Sequence, residues 1–86
     1  MRASEPTLTL ARQLRRAASS VTLNLAEGSG SQGRNRNARY FNALGSAREV
    51  RACIHVALAW SYVETVDAQL LDELERVIAT LIRLVI

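Results

Sequence analysis

Apolar side chains recur along this chain at spacings of three and four, in three separate stretches. In the first, Leu10, Leu14, Ala17, Ala18, Val21 and Leu25 share one stripe, which predicts a helix over residues 7–27. Thr7 or Thr9 is the expected N-cap, with Glu5 and Pro6 as the stop signal ahead of it. Gly28 is expected to close this helix in the left-handed conformation, opening a loop over residues 28–36 that is rich in glycine and small polar residues. A second helix is predicted over residues 36–64, with Phe41, Leu44, Ala47, Val50, Ile54, Leu58, Ser61 and Tyr62 on its inner face. The third runs over residues 67–86, capped by Asp67 or Thr65, with Leu70, Leu71, Leu74, Val77, Ile78, Leu81, Ile82 and Val85 on its apolar side. Together they predict an all-α fold: an antiparallel up-and-down bundle of three long helices, one domain over residues 1–86. Folding the first two helices back on each other sets Gly45 level with Ala17 and Ala18, so that small side chains face across the hairpin and Glu49 comes within reach of Arg12 or Arg16. The third stripe is wider than one packing partner needs, which points to a second helix or another subunit against it.

Composition sharpens this picture. The chain is 49% hydrophobic but only 5% aromatic, so its core must be aliphatic, as in helix bundles. Every one of its 11 basic residues is arginine, which excludes Schiff-base lysine chemistry and the lysine of a phosphate-binding P-loop. Charge is uneven: residues 1–51 hold nine arginines against Glu5, Glu27 and Glu49, whereas residues 52–86 hold Arg76 and Arg83 against five acids. Such asymmetry fits either a nucleic-acid-facing surface or one helix neutralising another. The lone Cys53 excludes an intrachain disulfide and fits a reducing compartment, so the cytoplasm is the expected location. No apolar run reaches the length of a membrane span, and no membrane partner is expected.

Candidate chemistry is sparse. Cys53 and His55 lie two positions apart, about 200° round a helix, so they cannot chelate one metal together. The Glu-x-x-His pattern of di-iron bundles is absent, and neither a metal nor a cofactor is expected. Glu27 and Glu49 could be drawn as an acid–base pair, but arginines surround them and ion pairing is the simpler role. No catalytic residue is assigned. Arginines offer more: Arg34, Arg36 and Arg39 crowd the start of the second helix, where the dipole disfavours cations, and their placement asks for an anion. Glu27, itself misplaced in the last turn of the first helix, is one such anion. With Arg12, Arg15 and Arg16, these arginines are the candidate nucleic-acid-binding residues. Tyr40, Phe41, Trp60 and Tyr62 read as core or interface anchors.

Three segments carry a family resemblance: Gln13-Leu14-Arg15-Arg16-Ala17-Ala18-Ser19-Ser20-Val21, Asn24-Leu25-Ala26-Glu27-Gly28-Ser29-Gly30, and Ala43-Leu44-Gly45-Ser46-Ala47-Arg48-Glu49. In their order and spacing they resemble the bacterial four-helix bundle proteins associated with intervening sequences in 23S ribosomal RNA genes. The resemblance implies homo-oligomers, commonly pentamers, with no enzymatic activity. It also extends to the accessory variability determinant of diversity-generating retroelements, which binds nucleic acid and a reverse transcriptase through a basic exterior. It marks Asn24, Glu27 and Gly28, and then Gly45, Ser46 and Glu49, as motif residues of structural role. Chains of this kind carry a further helix ahead of the Gln-Leu-Arg-Arg segment. Three helices where the family has four imply an open apolar groove, filled by a neighbouring subunit or by a lost segment. The expected function is therefore a non-enzymatic homo-oligomeric adaptor whose arginine-rich face meets RNA, DNA or a reverse-transcriptase-like enzyme. The alternative is a purely structural oligomer whose arginines are taken up by its own acids.

Overall fold

The computed structural model describes residues 4–85, in which three helices follow one another with no strand among them: α1 (Glu5–Ser29), α2 (Gly33–Ala59) and α3 (Ala68–Val85). Ile86, expected to end the third helix, lies outside the described residues.

α1 starts earlier than the apolar stripe suggests. Ser4, in extended conformation, is its N-cap: the Thr7 amide donates to Ser4 Oγ at 3.4 Å, and the two hydroxyls lie 2.8 Å apart. Thr7 thus serves the cap rather than being it. Pro6 falls inside the first turn, where its missing N–H would have had no intrahelical partner. The other end is also extended. α1 runs straight through Gly28, whose φ is not positive, and ends where Gly30 N–H donates to the Ala26 carbonyl at 3.3 Å and Ser31 N–H to that of Gly28 at 3.1 Å. Ser29 Oγ and Ser31 Oγ donate to the carbonyls of Ala26 and Glu27, so side-chain hydroxyls satisfy groups that the helix end leaves open. The glycine that does take the left-handed conformation is Gly33, at φ 62°, and the interhelical loop shrinks to residues 30–32.

α2 stops at Ala59, five residues before the expected end. Ser61 sits at φ 58°, with Ser61 N–H donating to the Leu58 carbonyl at 3.2 Å and Tyr62 N–H to that of Ala57 at 2.8 Å. These two bonds form a Schellman closure, with serine in the position that glycine usually takes. α3 begins as expected at Asp67, whose Oδ1 accepts from Gln69 N–H at 2.9 Å.

The buried residues explain the packing. Ala43, Leu44 and Ala47 of α2 meet Ile78 and Leu81 of α3, and Val21, Leu25, Tyr40, Leu74, Ile82 and Val85 close round them. α2 is central, with α1 on one flank and α3 on the other; no Cα of α1 comes within 8 Å of one of α3. Phe41, expected inside, is 63% exposed, and Tyr40, one position and 100° away, takes the inward place. The body is a thin plate of 48 × 23 × 15 Å, with a radius of gyration of 14.4 Å. A compact chain of this length would have about 12 Å. Its 6336 Å² of accessible surface likewise exceeds the roughly 5,000 Å² of a compact monomer of this mass.

Candidate nucleic-acid interface and an apolar trough

The α1–α2 hairpin is keyed at three levels. Near its tip, Arg39 Nη2 lies 2.9 Å from Glu27 Oε2. Each of these charges sits at the wrong end of its own helix dipole, the glutamate in the last turns of α1 and the arginine in the early turns of α2, and each supplies the other's missing counter-charge. Beside them, Tyr40 packs over Gly28 so closely that a Cβ on the glycine would lie 2.5 Å from the ring. Further down, Ser46 Oγ donates to Ser20 Oγ at 2.7 Å, and Asn24 Nδ2 donates both to the Ser20 carbonyl at 2.9 Å and to its hydroxyl at 3.1 Å.

This register corrects two expectations. Glu27 opposite Arg39 and Ser20 opposite Ser46 set Gly45 level with Val21, a full turn from Ala17 and Ala18, and Gly45 faces open space: a Cβ there would meet nothing within 4 Å. Glu49, expected to pair with Arg12 or Arg16, makes no ion pair among the described residues. It lines a shallow polar depression with Ser20, Asn24, Asn42 and Ser46. Of the six residues that the resemblance marks, Glu27, Gly28 and Ser46 join α1 to α2 directly and Asn24 holds Ser20 in place within α1, while Gly45 faces open space and Glu49 makes no ion pair among the described residues.

The candidate arginines divide into two groups. Arg12, Arg15 and Arg16 are exposed on α1, within one turn of one another, and make no ion pair among the described residues. Arg34, Arg36 and Arg39 are exposed on the first two turns of α2; Arg39 is held by Glu27, and Arg36 Nε donates to the Ser31 carbonyl at 3.0 Å. The two groups line no single pocket. Sequence reasoning missed Arg51, whose Nη1 bridges to Glu75 at 2.9 Å and ties α2 to α3; only its opposite charge to the acidic third helix could have flagged it.

An apolar trough lies where α1, α2 and α3 come together, lined by Leu14, Val50, Ile54, Leu70 and Leu74, and a second apolar hollow lies between α1 and α3, lined by Leu25, Val77, Leu81 and Leu84. Leu70, Val77 and Leu84 are 51%, 37% and 50% exposed there. Trp60 and Phe41 are also exposed, so these two aromatics are not core anchors of the single chain.

No cluster of three metal-ligating side chains occurs among the described residues. Cys53 is buried; desolvation, with a lesser contribution from the Glu49 carboxylate, pushes its thiol above the ordinary range, so at neutral pH it is a protonated filler rather than a nucleophile. No helix among the described residues is long and apolar enough to cross a membrane.

The residues of the hairpin lock fall within a family pattern that covers residues 3–83, that of the 23S rRNA-intervening sequence protein. The chain belongs to this family. No characterised protein and no solved structure matches it. Within the matched residues the α1–α2 hairpin is held by a charge pair, a glycine under a ring and a serine–serine hydrogen bond.

Proposed function

We propose that this intervening-sequence family protein is a non-enzymatic, homo-oligomeric adaptor of the cytoplasm. Its arginine-rich face meets nucleic acid or a nucleic-acid enzyme such as a reverse transcriptase. The observation that carries this reading is the state of Arg12, Arg15 and Arg16: three neighbouring, exposed guanidinium groups without a carboxylate partner among the described residues. Phosphate is the anion such a cluster fits, by charge and by bidentate geometry. Assembly is supported separately by the apolar trough and by the surface in excess of that of a compact monomer. A further helix from a neighbouring copy lying in that trough would give the four-helix arrangement of the family.

A purely structural oligomer is the second reading, favoured by the pairs Arg39–Glu27 and Arg51–Glu75, which consume part of the positive charge internally. Binding to a labelled RNA duplex across salt concentrations separates the two. Affinity that falls steeply with salt is expected of the adaptor; absence of binding at low salt would leave the structural reading alone.

A further inference from the structure

A polar depression on the α1–α2 hairpin combines an aromatic surface, a carboxylate without a counter-charge and a gap between the two. Phe41, Gly45 and Glu49 of α2 follow one another at four-residue spacing, so they stand in one row of the helix, and all three line the depression together with Ser20 and Asn24 of α1. Phe41 is 63% exposed. Gly45 puts no side chain between its neighbours, and even a Cβ there would meet nothing within 4 Å. Glu49, one turn further on, makes no ion pair among the described residues.

The chemistry of this slot selects its occupant. Phosphate is repelled by Glu49, so the depression does not itself bind the backbone of a nucleic acid. A flat, uncharged ring with N–H donors on its edge satisfies both the aromatic face and the carboxylate. A nucleobase is such a ring, and single strands are read in this way, by stacking on aromatic side chains and by hydrogen bonds to base edges. Guanine alone among the four bases offers a carboxylate two neighbouring donors, N1–H and N2–H. Asn24 adds an acceptor: its Nδ2 is spent on Ser20, which leaves its Oδ1 without a partner among the described residues. Cations for the strand's phosphates are close by, since Arg12 and Arg16 precede Ser20 in the same four-residue row of α1.

We infer that the depression holds an unpaired guanine of a single-stranded nucleic acid, its ring beside Phe41 over Gly45 and its Watson–Crick edge on Glu49, while Arg12 and Arg16 hold the flanking phosphates. The inference rests on the reading that the arginine face meets nucleic acid, and it adds the base and the single-stranded form.

The test measures the affinity of the full chain for a short oligouridine RNA carrying one central guanine, adenine or inosine. Guanine is expected to bind at least about 10-fold more tightly than adenine, with inosine, which keeps N1–H but lacks the 2-amino group, in between. Glu49→Gln and Gly45→Leu are each expected to abolish the preference and to leave the dependence on salt unchanged. Both positions are exposed, so the helical circular dichroism is expected to survive. No binding of any oligonucleotide at low salt overturns both the nucleic-acid reading and this site. Salt-dependent binding without a preference for guanine, or with a preference that survives both substitutions, overturns the site and leaves the arginine face standing. A Gly45 amide resonance that moves with N-acetylarginine amide and not with the guanine oligonucleotide also overturns it, and gives the depression to an arginine of a protein partner.

Discussion

Gly28 and Gly45 have opposite physical roles, and a single methyl group tells them apart. At Gly28 an added Cβ would press on the Tyr40 ring at 2.5 Å and on Arg39 Cβ at 3.3 Å. Gly28→Ala is therefore expected to destabilise the fold by about 1–3 kcal/mol through overpacking, read from the denaturant midpoint. At Gly45 the same change meets no atom, and alanine is the better helix former: Gly45→Ala is expected to stabilise by about 0.5–1 kcal/mol in the same measurement. Ser61 is the third residue at which the backbone decides. An L-residue in the left-handed region pays a steric penalty that glycine avoids, so Ser61→Gly is expected to raise stability by about 0.5–1 kcal/mol, less whatever the freer unfolded chain takes back.

At the level of elements, the three stripes and the cap at Asp67 are legible in the sequence because periodicity and capping are local properties. The ends of α1 and α2 are not. A glycine at a helix terminus looks the same in sequence whether it is needed for its φ or for its missing Cβ, and Gly28 is the second kind. A serine closing a Schellman motif carries no signal at all, so the apolar pattern carries α2 past Ser61. Phe41 and Tyr40 show a related limit: adjacent aromatics differ by 100°, and only Tyr40 has a glycine to pack on. Arg39–Glu27 is among the pairs the sequence suggests, because two charges misplaced on their dipoles demand each other. Both partners are about half exposed, at 46% and 53%, so a double-mutant cycle with Arg39→Gln and Glu27→Gln is expected to give a coupling of less than about 1 kcal/mol. The Ser20–Ser46 bond is invisible in the sequence, since serines facing each other leave no mark in a hydropathy pattern.

Over the whole molecule, the arginine distribution yields a quantitative expectation. If Arg12, Arg15 and Arg16 each neutralise one phosphate, replacing all three by glutamine reduces the slope of log affinity against log salt by roughly 0.9 for each phosphate left unneutralised, about 2.7 in all for a duplex. All three side chains are exposed, so the helical signal and melting temperature are expected to hold while the slope changes.

A body only 15 Å through has no deep interior: every backbone amide lies within a helix's width of the solvent, and Leu81 is its largest fully buried side chain. Such a chain draws little endurance from its own folding. If copies cover one another, the folded population rises with their number, and a scarce protein is a perishable one. Abundance would then set its lifetime in the cell, with proteases removing the solitary copies first.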